Sequence, residues 1–591
     1  MPLTEPVEAD VVIVGAGPAG LTLATLLRRY RPSTSVVVLE KQRFPRHKIG
    51  ESMLVDVNRV LADMGALEQV EQAGFSRKYG ATFIWGEARS AYTFLWRDGQ
   101  VLVPSPDAYQ LDYTWHVDRA EYDSILERCA TQNGVRVLQE HTVTDVIQTE
   151  GRVTGLRFED AAGDPGELHA RWVVDCAGGH GPLTRKLAGK QLDEDLRNIA
   201  IFGYHTGVGW RDDLNGHPDL RRTLILTHPR GWIWMIPLKD GVTSVGFVTS
   251  VESYRAAEIK DHRAYYCQVL RELPEYAELF SEAQLFDYRG DGKIVHTVQE
   301  YSYSCDRIFG PGWVLCGDAS GFVDAILSIG VFVAQNHAQF LACALATLLD
   351  AQPGSHIDEQ LALDSYAVSA RENLGAFRAV AHMFYAYNDS FSDWWRGCSE
   401  QLRTSTSVPL ASDREAFLAF FTGFSARSAL YDQALNALGG SFLLDVSHQL
   451  FGSEELFSDG QIGAEAKRAR QLIASDPYLR LNGEHTLRPF ALPQTSAGRL
   501  GLLVRLDIQL ADDATGLAGS IARRLYLPDA LAVVPALMDG TRTLTQIAQA
   551  MLDRGLMPEL GSCRHEVMKL AYRFACMGVV EAVTTPARAS L

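Results

Sequence analysis

The sequence predicts an α/β fold in which an antiparallel sheet is inserted into a parallel one, followed by a mostly helical C-terminal region. The first observation is an apolar, β-branched run at residues 10–14, of the kind that forms a strand buried on both faces of a parallel sheet. The second is a series of short alternating strands between about 198 and 300, which is typical of an antiparallel sheet. The third is helical periodicity over most of the chain beyond residue 350.

A glycine-rich turn, Gly15-Ala16-Gly17-Pro18-Ala19-Gly20, joins the first strand to the helix that follows it. In a G-x-G-x-x-G turn the first glycine permits the bend, the second lets a diphosphate approach the backbone, and the third lets helix and strand pack closely. The phosphates then lie at the positive end of the helix dipole. Glu40, at the end of the next strand, is placed to bind ribose hydroxyls. These features predict a Rossmann-like dinucleotide site formed by Gly15, Gly17, Pro18, Ala19, Gly20, Glu40 and Lys41.

The other strands of the parallel sheet are predicted to come from distant parts of the chain. Residues 115–150 have the pattern of a helix followed by a strand, and residues 170–178 that of a strand returning to the same sheet. Residues 314–316 are predicted to form a short buried strand before a long helix. The antiparallel sheet is therefore an insertion between segments of the parallel one.

This order of elements predicts three regions. A core over residues 1–350 is expected to carry the dinucleotide, with the antiparallel sheet at about 198–300 on the substrate side. A helical region over 351–510 is expected to cover the active site. A small helical module over 511–591 has a pattern similar to that of a winged helix.

Composition excludes several classes of partner. The chain has 591 residues, 47% hydrophobic and 21% charged, with a formal net charge of −17, which argues against nucleic acid or an anionic membrane as principal partner. Its nine cysteines are scattered without metal-ligand spacing, so no metal site is expected. The N-terminus lacks the pattern of a signal peptide, and polar residues interrupt the longest apolar stretch, 330–349. A cytoplasmic protein is expected.

Three further segments resemble the FAD site of flavin-dependent monooxygenases and halogenases. They are Arg43-Phe44-Pro45-Arg46 leading into Gly50-Glu51-Ser52, then His116-Val117-Asp118-Arg119, and then Gly317-Asp318 after the strand at 314–316. The three segments occur in the order that this resemblance requires. It implies FAD as the cofactor, with Asp318 on the ribityl chain and the following residues in its site: Arg46, Glu51, Ser52, Arg119, Gly317 and Asp318.

Two motifs resemble those of flavin-dependent halogenases in particular, within a likeness that covers about residues 10–350. One is Trp232-Ile233-Trp234-Met235-Ile236-Pro237, and the other is Lys78-Tyr79-Gly80-Ala81. The resemblance implies that reduced FAD (FADH2), O2 and chloride give hypochlorous acid, which passes the two tryptophans and reaches Lys78. Lys78 would then deliver electrophilic chlorine, and Trp232 and Trp234 would keep the substrate from the flavin. Burial lowers the pKa of a lysine, which brings both its charged and neutral forms within reach near neutral pH.

The segment Leu327-Ser328-Ile329-Gly330 precedes a long helix, where free backbone N–H groups can hold an anion. The resemblance implies a catalytic role for Ser328 and halide binding by the main chain of Ile329 and Gly330. Ala325 stands where the family has a proline, which removes a rigid φ angle from this loop. Leu327 replaces the glutamate of the tryptophan-specific branch, so free tryptophan is not the expected substrate.

The resulting hypothesis is a reduced-FAD- and O2-dependent halogenase of secondary metabolism, such as antibiotic biosynthesis. It would chlorinate a phenolic, pyrrolic or carrier-protein-tethered substrate, and a separate flavin reductase would supply FADH2. The absence of a second G-x-G-x-x-G fits this scheme, although single-domain hydroxylases of the same fold also lack one. One alternative is an FAD-dependent monooxygenase, which has no use for Lys78 or the tryptophan pair. Another is a degenerate FAD-binding partner module, which would be favoured if Ala325 and Ile329 abolish chloride binding.

Overall fold

The computed structural model describes residues 7–85, 90–96, 113–210, 221–299, 301–386, 471–473, 475–482, 484–509, 522–576 and 580–583. The strands are β1 (Val7–Val14), β2 (Val36–Glu40), β3 (Ser76–Lys78), β4 (Gly80–Trp85), β5 (Ser90–Leu95), β6 (Thr114–His116), β7 (Arg136–Gln139), β8 (Thr142–Thr149), β9 (Arg152–Glu159), β10 (Pro165–Asp175), β11 (Lys190–Leu192), β12 (Asn198–Thr206), β13 (Thr223–His228), β14 (Gly231–Pro237), β15 (Thr243–Ser250), β16 (Gln284–Phe286), β17 (Val295–Gln299), β18 (Tyr303–Cys305), β19 (Phe309–Gly310), β20 (Trp313–Leu315), β21 (Gly321–Phe322), β22 (Tyr478–Leu481), β23 (Glu484–Gln494), β24 (Arg499–Gln509), β25 (Ala522–Leu527), β26 (Asp539–Thr543) and β27 (Val580–Val583). The α-helices are α1 (Pro18–Tyr30), α2 (Val57–Met64), α3 (Leu67–Gln72), α4 (Arg119–Gln132), α5 (Pro182–Leu187), α6 (Val251–Ala256), α7 (His262–Arg271), α8 (Tyr276–Phe280), α9 (Gly330–Asp350), α10 (Glu359–Ala386), α11 (Val534–Leu537), α12 (Leu544–Asp553) and α13 (Leu560–Cys576).

The parallel sheet has the strand order β20-β10-β1-β2-β7, and its five strands all run in the same direction. Residues 11–13 of the central strand β1 are completely buried, because helices cover one face of the sheet and further elements the other. The glycine turn follows β1 at the carboxyl edge, where ligands of such sheets bind. The predicted α/β fold, assembled from segments far apart in the sequence, is confirmed.

The inserted sheet has the order β16-β12-β15-β14-β13-β4-β5, and β17 also pairs with β12. It is antiparallel except where β13 pairs with β4 in parallel. Side chains of β14 alternate between its faces: Trp232 and Trp234 join the main hydrophobic core, whereas Ile233 and Met235 pack with residues of α7 and α8. The antiparallel sheet predicted at about 198–300 is thus present, and it is extended by β4 and β5 from nearer the N-terminus.

Helix α9 is a core helix. Within the described part of the chain it is the one helix long and apolar enough to span a membrane, and 89% of its apolar stretch is buried inside the protein. It packs against α1 and α10, so its apolar side chains cover the parallel sheet.

The expectation of a mostly helical C-terminal region was wrong for residues 478–482, 484–509 and 522–527. These residues contain β22 and a three-stranded sheet, β23-β24-β25. Alternate side chains of β25 explain why: Tyr526 packs into the main core, whereas Leu525 and Leu527 pack into a second core with α12 and α13. A segment placed between two apolar cores needs apolar residues on both sides, which a strand provides with a period of two. The domain boundaries at 350 and 510 and the winged-helix likeness remain predictions.

Candidate active site

The glycine turn has the geometry of a diphosphate cradle. Gly15 has a φ of 96°, in the region that favours glycine, and a Cβ on Gly20 would lie 2.0 Å from the Gly15 carbonyl oxygen. By contrast, a Cβ on Gly17 would meet no atom closer than Arg46 Nη2, at 3.9 Å. Gly20 is therefore required for contact between α1 and β1, while the space above Gly17, at the N-terminus of α1, is open to a ligand.

Glu40 and Arg46 brace this turn from one side. The buried Glu40 carboxylate accepts hydrogen bonds from the backbone N–H of Ala16, at 2.9 Å, and of Gln42, at 3.0 Å. Arg46 Nη2 donates to the Ala16 carbonyl oxygen at 2.8 Å and lies 3.3 Å from Glu40 Oε2. Glu40 thus fixes the backbone of the turn, and its contact with a ribose remains a prediction. Lys41 is exposed beside it.

Asp123 is a buried carboxylate that joins Arg46 to Arg119. Arg119 donates to it through Nε at 2.8 Å and Nη2 at 3.1 Å, and Arg46 Nη1 lies 3.0 Å away. Arg119 Nη1 also donates to the carbonyl oxygen of Ile49 at 2.7 Å. Bidentate pairs of this kind fix both orientation and charge, so they hold the chain just before Glu51 and Ser52 in place.

Gly317 and Asp318, just after β20, complete the cradle. Gly317 has a φ of 63°, and a Cβ on it would lie 2.9 Å from the Cβ of Ala19, so this glycine permits close contact with α1. Burial raises the pKa of Asp318 to about 6, while the charge of Arg119 opposes the shift. The residues predicted to bind FAD are thereby brought to one edge of the parallel sheet, except the exposed Lys41 and the pair Glu51 and Ser52. Glu51 accepts a hydrogen bond from the Tyr204 hydroxyl at 2.7 Å, and Ser52 Oγ lies 2.8 Å from Thr223 Oγ1, so both contact the inserted sheet. The arrangement at the edge of the parallel sheet fits a dinucleotide.

Lys78 ends strand β3, and only 2% of its surface is exposed. Its Nζ donates to the carbonyl oxygen of Met53 at 2.8 Å and lies 5.2 Å from the centre of the Trp96 ring. Burial lowers the pKa of Lys78 to about 7. Met53 follows Ser52, so the segment that contributes to the flavin cradle also holds the lysine.

The face of β3 and β6 that carries Lys78 is polar although it is buried. In the antiparallel pair, Lys78 lies opposite Thr114, and Ser76 lies opposite His116, which places all four side chains on one face. Ser76 Oγ, Thr114 Oγ1 and His116 Nδ1 make no hydrogen bond within the part of the chain that the structure describes. Buried polar atoms of this kind are rare in a packed core, so these four residues, called the polar chamber here, are candidates for contact with a polar ligand.

A chain of hydrogen bonds connects this chamber to the flavin cradle. His116 Nε2 lies 3.0 Å from Thr223 Oγ1, which in turn lies 2.8 Å from Ser52 Oγ. Burial and the nearby charge of Lys78 lower the pKa of His116 well below its usual value. The imidazole is therefore neutral at physiological pH and adds no positive charge beside Lys78.

Trp232 and Trp234 form a wall on the inserted sheet. Their ring centres are 6.0 Å apart, and both side chains are buried on the face that joins the main core, as the alternate spacing predicted. Trp234 lies over Gly246, where a Cβ would come within 2.1 Å of Cζ2, and its Nε1 donates to Ser244 Oγ at 3.3 Å. The wall thus depends on a glycine in the neighbouring strand β15.

The loop before α9 is held by Asp324, which is completely buried. Its carboxylate accepts hydrogen bonds from Ile326 N at 2.9 Å, Asn198 Nδ2 at 3.1 Å and the Tyr385 hydroxyl at 3.1 Å. Burial raises the pKa of Asp324 to about 6. The loop closes with a turn in which Ser328 N donates to the carbonyl oxygen of Ala325 at 3.1 Å.

Ser328, Ile329 and Gly330 follow this turn. Ser328 has a φ of 54°, an uncommon conformation for a residue with a side chain. Ile329 is the N-cap of α9 and Gly330 its first residue. The first N–H groups of a helix lack intrahelical acceptors, so the predicted halide residues stand where backbone donors are available.

Several proteins of known activity are similar to this chain. A tryptophan 2-halogenase of Chondromyces crocatus is 29% identical over 387 residues, which cover 65% of this chain and 69% of the relative. A flavin-dependent halogenase of Armillaria mellea is 33% identical over 346 residues, or 56% of this chain and 63% of the relative. A 1H-pyrrole-2-carbonyl-[peptidyl-carrier protein] chlorinase of Pseudomonas fluorescens is 29% identical over 347 residues, or 56% and 74%.

Solved structures show the same likeness. The myxobacterial chondrochloren halogenase CndH, described as an FAD-dependent halogenase, has 28% identity and a TM-score of 0.58 over 72% of this chain and 91% of its own. The flavin-dependent halogenase CmlS, at 22% identity, shares the fold over 99% of both chains with a TM-score of 0.66. The family model described as tryptophan halogenase matches residues 10–101 and 94–434, well over half of the chain.

This chain belongs to the flavin-dependent halogenases. Two of the three alignments cover about two-thirds or less of the relative's own length, so the substrate and the chemistry of this halogenase are argued below as proposals. The resemblance predicted from the glycine turn, the tryptophan pair and Lys78 is confirmed at the level of the family.

Asp123 lies four positions after Arg119 on α4, in the segment that resembles a flavin site, and the structure shows that the two side chains form an ion pair. Some other residues of the halogenase site were not recognised in the sequence. Thr223 and Tyr385 carry no comparable signal, because each reaches the site from a distant segment. Gly246 also has no local signal, because the requirement for glycine at this position comes from the ring of Trp234 on another strand.

We expect Gly246→Ala to displace the indole of Trp234 and uncouple the halogenase. Overpacking of this kind forces side chains out of position, so the ratio of halogenated product to hydrogen peroxide should fall about tenfold. The ratio is measured with FAD, reductase, NADH, O2 and chloride. Adding Trp234→Phe, a smaller ring, should restore part of it. Gly375→Ala is the control, because no atom lies within 4 Å of the Cβ that it adds on α10. An unchanged ratio in Gly246→Ala would contradict the proposal that Trp234 separates substrate from flavin.

Proposed function

We propose that this halogenase is a cytoplasmic enzyme that chlorinates an electron-rich phenolic, pyrrolic or carrier-tethered compound in secondary metabolism. The single observation that carries the proposal is Lys78. It is fully enclosed, bonded to a carbonyl oxygen rather than a carboxylate, and has a pKa of about 7 beside a polar chamber. Burial of a lysine costs free energy because its charge loses hydration, so a lysine with a purely structural role is unusual in such a place. Groups with strongly shifted pKa values cluster at functional sites.

The cofactor site supports the same proposal. FAD, bound in reduced form, would supply two electrons to O2, and oxygen at the oxidation level of peroxide converts chloride into hypochlorous acid. The chain's part would be to hold the cofactor: Gly17 and the N-terminus of α1 would face the diphosphate, and Arg46, Arg119 and Asp318 would surround the rest of it. A separate flavin reductase would supply the reduced flavin in this two-component scheme.

Lys78 carries the chlorine as its neutral amine. The amine nitrogen attacks the chlorine of hypochlorous acid, an N–Cl bond forms, the Cl–O bond breaks, and the hydroxide and the displaced amine proton leave as water. The chlorine then passes to a ring carbon, the ring loses its proton, and the amine is restored. Trp232 and Trp234 keep the substrate away from the flavin while a smaller molecule passes.

The polar chamber and the relatives support the proposed substrate class. Electrophilic chlorine needs an electron-rich carbon, and the unpartnered Thr114 and His116 atoms can accept or donate hydrogen bonds to a ring hydroxyl or N–H. The relatives named above act on tryptophan and on a pyrrole held by a carrier protein. Leu327, buried in the loop before α9, gives no carboxylate for the amine of free tryptophan.

The deciding experiment combines purified protein, FAD, a flavin reductase, NADH, O2 and chloride with phenolic and pyrrolic probes, free and carrier-bound. The expected result is a product with the isotope pattern of chlorine that disappears without chloride. Products that carry only a new hydroxyl group would support a monooxygenase instead. Flavin oxidation that yields peroxide alone with every probe would support a degenerate module.

We expect the yield of chlorinated product per NADH consumed to rise with pH through about 7. The neutral amine is the nucleophile, and Lys78 with a pKa of about 7 is mostly protonated below that pH and mostly neutral above it. Yields measured from about pH 6 to about pH 8.5, each normalised to total peroxide and product, remove the pH dependence of flavin oxidation. A yield that falls over this range would mean that the ammonium form acts by hydrogen bonding.

A further inference from the structure

Tyr385 belongs to α10, outside the FAD core, yet its hydroxyl joins two parts of the active site. It accepts a hydrogen bond from Trp232 Nε1 at 2.9 Å and donates one to Asp324 Oδ1 at 3.1 Å. The directions are fixed, because an indole N–H can only donate and an ionised carboxylate can only accept. A phenylalanine in its place would lose both bonds.

Through its bond to Asp324, the Tyr385 hydroxyl restrains the loop of residues 324–330, called the halide loop here. The same Oδ1 accepts from Ile326 N at 2.9 Å, and the loop then turns through Ser328 at a φ of 54° to reach the start of α9. A side chain in this backbone region is held there only when its surroundings determine the conformation. Asp324 is the buried group that does so from within the loop.

The loop has no proline to fix it. Residue 325 is alanine, and its backbone N–H makes no hydrogen bond to the residues that the structure describes. Alanine leaves more backbone freedom than proline, so side-chain contacts must supply the rigidity. Among these contacts, the Tyr385 bond is the one that also reaches the tryptophan wall.

We propose that Tyr385 is a positioning residue that holds the halide loop and the Trp232 indole in one arrangement, and so sets the affinity for chloride. The role of chloride rests on the proposed function, whereas the coupling of the loop to α10 rests on the contacts alone. Tyr385 touches neither substrate nor halide in this scheme. It acts through Asp324 on one side and Trp232 on the other.

The test compares Tyr385→Phe with Tyr366→Phe. Tyr366 lies on the same helix, is buried, and donates to the carbonyl oxygen of Leu315 at 2.8 Å, away from the loop. Hydrogen exchange of a peptide covering 323–330 should become about tenfold faster in Tyr385→Phe and stay unchanged in Tyr366→Phe. The KM for chloride should rise about tenfold while kcat changes less than about twofold.

A rescue separates positioning from general destabilisation. Ala325→Pro, added to Tyr385→Phe, restricts the loop without removing a donor and should restore slow exchange and most of the chloride affinity. Unchanged exchange in Tyr385→Phe, an equal change in Tyr366→Phe, or no rescue by proline would each overturn the proposal. If the wild type forms no chloride-dependent product, the proposed function fails, and the exchange measurement still decides whether Tyr385 holds the loop.

Discussion

Lys78→Met is expected to abolish halogenation while making the protein more stable. Product formation should fall at least about a thousandfold, because the variant has no nitrogen to carry chlorine, and peroxide should account for the oxidised flavin. The Trp96 ring and the shape of the site remain, since methionine has nearly the length of lysine. The measurement is chlorinated product and peroxide per NADH consumed.

The gain in stability follows from the pKa of Lys78. Burial lowers that pKa from 10.5 to about 7, so below pH 10.5 the unfolded chain binds a proton that the folded chain does not. This difference destabilises the fold increasingly as pH falls towards 7, by about 1.4 kcal/mol per pKa unit. After allowance for the lost bond to Met53, methionine should stabilise the protein by roughly 2–4 kcal/mol near neutral pH.

Thermal unfolding of wild type and Lys78→Met from about pH 7 to about pH 10 measures this effect, and the advantage of methionine should shrink as pH rises. Lys239→Met is the matched control, since Lys239 also lies beside an aromatic ring, Phe75, at 5.5 Å but pairs with Glu121 at the surface. Its effect should be small, as for other surface pairs. A Lys78→Met variant less stable than wild type at neutral pH would show that Lys78 is charged and partnered in the folded state.

Gly20→Ala is expected to remove FAD binding by moving α1. A Cβ at this position would lie 2.0 Å from the carbonyl oxygen of Gly15, a clash between backbones that no side-chain rotation relieves. The affinity for FAD, measured by fluorescence titration of the apoprotein, should fall at least about a hundredfold, and the melting temperature of the apoprotein should fall with it.

Gly17→Ala separates the fold from the cofactor. Gly17 has an extended backbone that any residue adopts, and its added Cβ would be 3.9 Å from the nearest atom. The apoprotein should therefore melt as the wild type does, while FAD affinity falls because the methyl group occupies the space above the turn. Unchanged FAD affinity in Gly17→Ala would place the diphosphate elsewhere.

The structure also explains why two functional groups can share a short segment. Glu51 and Ser52, which are predicted to bind FAD, directly precede Met53, whose carbonyl oxygen accepts the hydrogen bond from Lys78. The same segment pairs with β6 through the bridge between Ser52 and His116. A change in this strand would therefore disturb the cofactor and the lysine together, which makes variants of Lys78 itself the clearer test of chlorine transfer.

The C-terminal region shows where the sequence pattern was misread. Residues 499–509 alternate in the way expected for a strand, and β24 confirms that pattern, but helical periodicity nearby was extended across it. The helical region expected to cover the active site, residues 351–510, is described only in part. Phe384 contacts Phe83 and Trp85 with ring centres 5.6 and 6.0 Å apart, whereas Tyr387 to Trp395 lie outside the described residues.

The sequence by itself determined the features that depend on local backbone geometry. A glycine turn between a strand and a helix permits the same close approach to the backbone in any protein that forms it. Two tryptophans on alternate positions of one strand lie on the same face of its sheet, whatever the rest of the fold. These features identified the family before any contact was known. They also placed Lys78 at the edge of a strand.

Tertiary structure alone decided how those parts work together. Tyr385 meets Trp232 across 153 residues of sequence, and Thr223 meets His116 across 107, so neither bond follows from local spacing. The pKa of Lys78 is likewise a property of its surroundings, because exclusion of water, and not the lysine itself, removes its charge. The sequence predicted an amine in the active site of a flavin enzyme, and burial in the fold lowers the pKa of that amine to about 7.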